Sequence, residues 1–162
     1  MFTGEEIVAA LQKLGTTDVV WIPDSALGPW ETALVRAKGL RLIRVCREGE
    51  AWPLAAGLLL GGRQPMVIMQ STGLFESGDA LRNILFDLKL PLLSIIGARS
   101  YLLTQSSDTA RKFINPLLQA WAWTMCSSSA KTRSRSLPII CSPSKRRGSR
   151  ARSSSRKGEC KP

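Results

Sequence analysis

Glu48 is the residue whose type and position best suit acid–base chemistry. It is followed by Gly-Glu-Ala-Trp-Pro-Leu-Ala-Ala-Gly, a run in which small residues recur as far as Gly57. A carboxylate at the start of a helix is stabilised by the helix dipole, and such a group can share a proton with a bound molecule. The small residues let another segment pack closely. The alternative is that Glu48 only favours the helix start, and Glu50 is expected to be its solvated neighbour.

Two other polar segments each follow an apolar run that predicts a strand. They are Pro23-Asp24-Ser25 and Gln70-Ser71-Thr72-Gly73. The functional loops of a parallel α/β sheet lie at the carboxyl ends of its strands, and Arg47-Glu48-Gly49-Glu50 is predicted at the same edge. The three segments are therefore candidate parts of one site. An ordinary loop at 70–73 and a simple turn at 23–25 remain open.

Several kinds of site are excluded by composition. The sequence contains no histidine, which excludes a His-based triad or a His metal site within it. Its four cysteines are irregularly spaced and include no Cys-x-x-Cys pair, so neither a zinc site nor a disulfide framework is expected. Cys46 ends an apolar run and is predicted to be a small core residue.

Helical periodicity alternates with short apolar runs through most of the chain. Thr3-Gly4-Glu5-Glu6 is a capping-box pattern that predicts a helix ending at Gly15. The other predicted helices are 29–37, 48–60, 76–88 and 111–121, and the predicted strands are 18–22, 40–46, 65–70 and 91–97. Continuous apolar strands that alternate with helices indicate an α/β fold, a parallel sheet with helices on both faces.

Basic residues are concentrated in the last quarter of the chain. The net charge is +11, and residues 123–162 hold 11 Lys+Arg and a single acid, whereas residues 1–122 hold 12 Lys+Arg and 11 Asp+Glu. The sequence therefore divides into a folded domain, 1–122, and a basic Ser/Arg-rich tail, 123–162, which is predicted to be disordered. The tail could be a nucleic-acid-binding arm, a plain flexible tail, or the product of a reading-frame error. Its composition favours the last.

The ordered set of motifs resembles one enzyme family. The segment that begins at Glu48 is similar to the activating-glutamate helix of thiamine-diphosphate-dependent enzymes. The motifs that resemble sulfopyruvate and phosphonopyruvate decarboxylases in particular are Ile22-Pro23-Asp24-Ser25, Gln70-Ser71-Thr72-Gly73-Leu74, Leu90-Pro91-Leu92-Leu93 and Gly97-Ala98-Arg99. The resemblance covers about residues 3–121 and stops before the family's final strand, which this chain is predicted to lack.

One departure from the family bears on the substrate. Where the family continues Gly-Leu-Gly-Asn, this chain has Gly73-Leu74-Phe75-Glu76. The carboxylate of Glu76 would repel an anionic oxo acid unless it is turned away from the site. The sequence therefore leaves the identity of the 2-oxo acid open.

The resemblance implies that residues 1–122 form the pyrimidine-binding domain of a thiamine-diphosphate-binding fold. Glu48 would be the catalytic residue and would hydrogen-bond a nitrogen of the cofactor's aminopyrimidine ring. Gln70, Ser71, Thr72 and Gly73 would bind the cofactor with it. Pro23, Asp24 and Ser25 would bind the substrate, which loses CO2 non-oxidatively by way of a cofactor carbanion. The implied enzyme is a thiamine-diphosphate-dependent carboxy-lyase.

The resemblance also implies partners. In the family the diphosphate and its Mg²⁺ are held by a domain with a Gly-Asp-Gly pattern, and no Gly-Asp-Gly occurs in this sequence. A diphosphate-binding beta subunit would supply both, so that this chain binds no metal and is active only with that partner. Self-association across the Glu48 helix is implied as well. The alternatives are an inactive truncated relative and, less favoured, a protein that binds nucleic acid through its basic tail.

Neither a leader nor a membrane segment is predicted. The first residues, Met-Phe-Thr-Gly-Glu-Glu, have neither the basic start nor the apolar stretch of a signal peptide. The longest apolar run, residues 54–60, is far shorter than the roughly 20 residues that span a bilayer. We therefore expect a cytoplasmic protein without membrane contact.

Overall fold

The computed structural model describes residues 2–25, 27–100 and 105–121, and the backbone of two further strands, 124–129 and 136–141. Within these ranges helices and strands alternate. In chain order they are α1 (Gly4–Lys13), β1 (Asp18–Trp21), α2 (Glu31–Arg36), β2 (Arg41–Arg44), α3 (Glu48–Leu60), β3 (Pro65–Gln70), α4 (Ser71–Glu76), α5 (Gly78–Arg82), β4 (Leu93–Gly97), α6 (Ala110–Ala120), β5 (Thr124–Ser129) and β6 (Ser136–Cys141). A 3-10 turn, Gly28–Trp30, precedes α2, and a π-helical segment, Asn83–Asp87, follows α5.

The strands form one sheet in the order β2-β1-β3-β4-β6-β5. The first four are parallel, and Val19 of β1 is in register with Leu42 of β2 on one side and Met66 of β3 on the other. Parallel neighbours are joined by helical crossovers, which place the carboxyl ends of β1, β2, β3 and β4 at one edge of the sheet. The α/β prediction is confirmed.

Helices cover both faces of the parallel strands, as predicted. Alternate residues of a strand face opposite sides of the sheet. In β1, Val19 and Trp21 join a buried cluster with residues of α1 and α2, whereas Val20 joins a second cluster with residues of α3, α5 and α6. Every residue of β1 is buried, which explains why this strand is apolar beyond its first residue.

The start of α1 and the bounds of α3 agree with the sequence prediction. Thr3 Oγ1 accepts a hydrogen bond from the backbone N–H of Glu6 at 3.2 Å, and Glu6 Oε2 accepts one from the backbone N–H of Thr3 at 2.8 Å, so the predicted capping box is confirmed. Helix α3 runs from Glu48 to Leu60 with the predicted bounds.

Three local predictions are wrong. Ser71-Thr72-Gly73 does not form a loop but the first turn of α4, and the helix predicted over 76–88 is divided between the end of α4, α5 and the π-helical segment. Cys46 is exposed rather than part of the core, because β2 ends at Arg44 and the chain has left the sheet two residues later.

A buried ion cluster lies at the amino end of β1, at the edge of the sheet opposite the predicted site. The side chain of Asp18 is completely buried. Its oxygens accept hydrogen bonds from Arg41 Nε at 2.6 Å, Arg63 Nε at 2.8 Å and Thr17 Oγ1 at 2.6 Å. Burial alone raises the pKa of this carboxyl, but the hydrogen bonds from Arg63, Thr17 and Arg41 outweigh burial and hold the pKa below its ordinary value.

The region predicted to be a disordered tail contains two strands. β6 pairs with β4 in antiparallel fashion, with Ser94 opposite Ile140, and β5 pairs with β6. At 124–129 and 136–141 the backbone thus differs from the prediction of disorder. The remaining residues of 123–162, including most of the basic ones, lie outside the described residues, and the domain boundary at 122 stays a prediction.

None of the helices in the described ranges combines the length and the apolar character needed to cross a bilayer. The cytoplasmic location stays a prediction.

Candidate functional site

Glu48 is the first residue of α3 and rests against Gly73 in the first turn of α4. The residue before it, Arg47, has extended backbone, so α3 starts abruptly where β2 delivers the chain to the edge of the sheet. A methyl group built on Gly73 would lie 2.8 Å from Glu48 Oε1 and closer still to its Cγ. Real side chains do not approach so closely. The Glu48 side chain can therefore occupy this position only because residue 73 is glycine.

The Glu48 carboxylate has unused hydrogen-bonding capacity. The side chain is half-buried, and among the described residues none donates a hydrogen bond to it. The pKa of Arg47 is raised chiefly by its hydrogen bond to Glu76 and by the charge of Glu76, and to a smaller extent by the charges of Glu50 and Glu48. A carboxylate can accept about four hydrogen bonds, so both oxygens of Glu48 can still meet a bound molecule.

Glu76 ties the end of α4 to the start of α3. Glu76 Oε1 accepts a hydrogen bond from Arg47 Nη2 at 2.7 Å, and Glu76 Oε2 accepts one from the backbone N–H of Gly49 at 2.6 Å. The pKa of Glu76 is lowered, first by the hydrogen bond from Arg47 and then by that from Gly49. Its carboxylate is therefore charged at neutral pH and is directed at the helix N-terminus.

Glu50 is directed away from Glu48. It is exposed, and its Oε2 accepts a hydrogen bond from the backbone N–H of Cys46 at 3.3 Å, behind the helix start. Two positions along a helix correspond to a rotation of about 200°. The two acids therefore do not face the same ligand, in agreement with the expectation that Glu50 is a solvated neighbour.

The residues at the end of β3 and the start of α4 have different surroundings. Gln70, the last residue of β3, is paired with Gly97 of β4, and its Oε1 atom is buried with no hydrogen-bond partner among the described residues. Ser71 is completely buried and its Oγ accepts a hydrogen bond from the backbone N–H of Arg99 at 3.4 Å. Thr72 is half-buried, and Gly73 is buried beneath Glu48.

The segment after β1 forms a turn of its own. Pro23 and Ser25 are exposed and Asp24 is half-buried. Asp24 Oδ1 accepts a hydrogen bond from the backbone N–H of Leu27 at 2.8 Å, which stabilises the turn that leads into the 3-10 segment. The sheet order puts this turn next to the start of α4, because β1 and β3 are neighbours. No hydrogen bond joins Asp24 to Glu48 among the described residues.

Sequence reasoning missed the connection between Arg47, Gly49 and Glu76. The available signal was spacing: residues three apart on a helix share a face, so Glu76 and Gly73 point the same way if 71–76 is helical. Because 71–73 was predicted to be a loop, the spacing of Gly73 and Glu76 could not be used to place them on one helix face. The predicted conflict between Glu76 and an anionic substrate is reduced, because the carboxylate is paired with Arg47.

The arrangement suits recognition of a nitrogen heterocycle. A half-buried carboxylate with free lone pairs lies at a helix N-terminus over a glycine, and a buried amide oxygen without a partner lies in the strand that leads to that glycine. Such a carboxylate can hold a ring N–H or pass a proton to a ring nitrogen. An unpaired buried oxygen is costly unless a ligand supplies a donor.

The sequence of the chain is similar to those of known decarboxylases. It is 33% identical over 95 residues to a phosphonopyruvate decarboxylase of Streptomyces hygroscopicus and 34% identical over 95 residues to one of Streptomyces viridochromogenes. It is 31% identical over 99 residues to the sulfopyruvate decarboxylase subunit alpha of Methanococcus maripaludis. The matched regions are 59%, 59% and 61% of this chain. The resemblance drawn from the motifs is confirmed.

The likeness covers only part of each relative. The chain spans about a quarter of the length of the two phosphonopyruvate decarboxylases, 24% in each case, and 59% of the subunit alpha. No protein-family profile matches the chain.

Proposed function

We propose that this chain is the pyrimidine-binding part of a thiamine-diphosphate-dependent 2-oxo-acid decarboxylase of the sulfopyruvate or phosphonopyruvate type. The observation that carries the proposal is the Glu48 carboxylate, which rests on Gly73 with no hydrogen-bond donor among the described residues. The similarity to decarboxylases of this type supports the reaction class.

The residues at this edge of the sheet fit the aminopyrimidine ring of the cofactor. Glu48 offers a carboxylate to a ring nitrogen, and Gln70 offers a buried amide oxygen to an N–H donor. Ser71, Thr72 and Gly73 form the adjoining helical turn. When bound, thiamine diphosphate supplies the electron sink that allows a 2-oxo acid to lose CO2. The part of Glu48 is to hold and move a proton between its Oε atoms and the ring.

A small 2-oxo acid is the proposed substrate, with Pro23, Asp24 and Ser25 beside it. The turn they form lies at the carboxyl end of β1, next to β3. Glu76 does not stand against this proposal, because its charge is directed at Arg47 and Gly49. A negative side chain neutralised by an adjacent guanidinium repels an anion much less than an isolated one.

A partner chain would complete the site. The sequence contains no Gly-Asp-Gly, so we assign the diphosphate and its Mg²⁺ to a diphosphate-binding beta subunit. The name of the Methanococcus maripaludis relative, subunit alpha, implies a partner for that protein.

Self-association through α3 is part of the proposal. Beyond its first turn this helix is apolar on both sides. Ala51, Trp52, Ala55 and Ala56 are buried in the core, while an exposed stripe at helical spacing comprises Pro53, Leu54, Gly57 and Leu60. Nothing lies within 4 Å of the position that a Gly57 side chain would occupy. A helix that is apolar all round is usually covered on all sides. A second copy of α3 would cover the stripe and bring two Glu48 sites together.

The proposal is tested by replacing Glu48 in the assembled enzyme. This chain would be combined with a diphosphate-binding chain, thiamine diphosphate and Mg²⁺, and turnover of sulfopyruvate and phosphonopyruvate measured for each chain alone and for the mixture. Only the mixture should be active. Glu48→Gln keeps the shape but removes the acid, and we expect activity and deuterium exchange at the thiazolium carbon to fall by at least about 10²-fold.

Glu50→Gln is the matched control, because Glu50 is exposed and the amide oxygen of Gln can still accept the hydrogen bond from Cys46. It should keep most of the activity. Wild-type exchange in Glu48→Gln would show that the site is assigned to the wrong residue. A mixture that neither binds thiamine diphosphate nor decarboxylates either substrate would refute the proposed function itself.

A further inference from the structure

The residues before and after Glu48 both donate a hydrogen bond to the carboxylate of Glu76. Arg47, before it, donates to Glu76 Oε1, and the backbone N–H of Gly49, after it, donates to Glu76 Oε2. Glu48 itself rests on Gly73, which lies one helical turn before Glu76 in α4. One face of α4 therefore contacts three consecutive residues at the start of α3.

We propose that Glu76 is a positioning residue that holds the Glu48 side chain over Gly73. The catalytic use of Glu48 rests on the proposed function. The contact between Glu76 and the start of α3 does not depend on that function. Glu48 makes no hydrogen bond to another described residue that could fix its carboxylate, so its direction depends on the backbone of the first turn of α3. Glu76 fixes that backbone from outside the helix.

The chemistry of the contact supports this role. Both hydrogen bonds are short and charge-assisted, and such bonds are stronger than those between neutral groups. The first turn of a helix has N–H groups without partners inside the helix, and Arg47, at the cap position, makes no side-chain cap bond there. Glu76 takes the place of that missing cap, but from a different helix. Because Glu76 and Gly73 belong to the same helix, a cap supplied by Glu76 also fixes the start of α3 relative to Gly73. A cap supplied by the Arg47 side chain would not do so.

Nuclear magnetic resonance of the full-length chain tests the inference without cofactor or partner. In the wild type, a nuclear Overhauser effect should connect the γ protons of Glu48 to the α protons of Gly73. Glu76→Ala should abolish this signal and speed hydrogen exchange of the Gly49 amide on the order of tenfold or more. Glu76→Gln keeps an oxygen for the Gly49 N–H and should restore protection of that amide at least in part.

Glu31→Ala is the matched control, because Glu31 pairs with Arg44 at 2.7 Å, the same distance as in the Arg47–Glu76 pair, but away from α3. It should leave both signals unchanged. If Glu76→Ala does not fold, Glu76→Asp keeps the charge with a shorter reach and should lose the Glu48–Gly73 signal. Retention of that signal at wild-type intensity in folded Glu76→Ala or Glu76→Asp would overturn the inference. Failure of the assembled enzyme to bind thiamine diphosphate would refute only the proposed function.

Discussion

Two glutamates lie in the first turn of α3 and a third, Glu76 of α4, contacts that turn, but the three have different neighbours. Glu48 contacts a glycine and keeps its hydrogen-bonding capacity, Glu50 caps the backbone at Cys46, and Glu76 links two helices. The residue type is the same in all three. What separates a candidate catalytic acid from the other two is that no described group donates a hydrogen bond to it.

Asp18 is a residue whose charge we expect to stabilise the fold directly. It is completely buried and hydrogen-bonded to two arginines that are half exposed. Asp18→Asn should lower the free energy of unfolding at pH 7 by about 1–3 kcal/mol, because charge-assisted hydrogen bonds are lost while the arginines remain solvated. Urea denaturation followed by circular dichroism measures this difference.

The Asp18 difference should depend on pH in one direction. The pKa of Asp18 is lower in the folded chain than in the unfolded chain. Its contribution is therefore fully present above the unfolded pKa, about 3.9, and is lost as pH falls through the lower folded value. The wild-type and Asp18→Asn stabilities should converge in that acid range. Asp79→Asn, at an exposed residue paired with Arg82, should cost less than about 1 kcal/mol; an equal loss would contradict the assignment.

Among the elements, α3 carries the proposed chemistry at its start and the proposed contact surface along its length. Gly57 lies in the middle of the exposed stripe with nothing near it. Gly57→Glu should leave the isolated chain folded, because glycine is less favourable than glutamate inside a helix by roughly 0.5–1 kcal/mol. It should also convert the self-associated chain to monomer in sedimentation velocity, because a charge would enter the apolar contact.

Gly78→Glu is the control for that experiment. Gly78 also has open space around its side-chain position, but it lies at the start of α5. This variant should associate as the wild type does. If Gly57→Glu sediments like the wild type, α3 is not the association surface.

The elements that sequence predicted well are those with a local signal. The acid, the small residues and the following Gly61-Gly62 give α3 its bounds, and the Thr3–Glu6 pattern gives α1 its start. The turn at 71–73 was missed because Ser, Thr and Gly favour loops. In the structure the Ser77 hydroxyl donates to the Gly73 carbonyl at 2.7 Å, and the helix starts directly from β3.

In the candidate site, too, the residues with a local sequence signal could be predicted and those joined only by packing could not. Glu48 could be found from the sequence because its signal is its own position in a helix, and Gly73 because it follows a strand. Arg47 and Glu76 are 29 residues apart, and only the packing of α4 on α3 brings them together. Their contact depends on the exact start of α4, which no local pattern specified.

On the scale of the whole molecule, β4 is covered by β6. Three residue pairs join them, Leu93 with Cys141, Ser94 with Ile140 and Ile95 with Ile139. Removal of residues 122–162 would leave the apolar strand Leu-Ser-Ile-Ile-Gly at an open edge, which favours aggregation. We expect this truncation to lower the melting temperature by at least about 4 °C and to increase light scattering.

Removal of residues 142–162 alone is the comparison, because it spares both strands. It should leave the melting temperature unchanged. Equal melting of the two truncated chains and the full chain would mean that 124–141 adds nothing to stability, which is what the composition of this region predicts.

The two ends of β1 have different surroundings, and this affects which substitutions the chain can tolerate. The Asp18 cluster is at the amino end of the strand, and the Glu48 site is at the carboxyl edge of the sheet. Four residues of strand separate the ends by roughly 13 Å, and groups so far apart without shared partners act additively. Substitutions that strengthen the Asp18 end would therefore raise tolerance to destabilising substitutions near Glu48, so that selection for a new substrate could proceed at one edge without loss of the fold at the other.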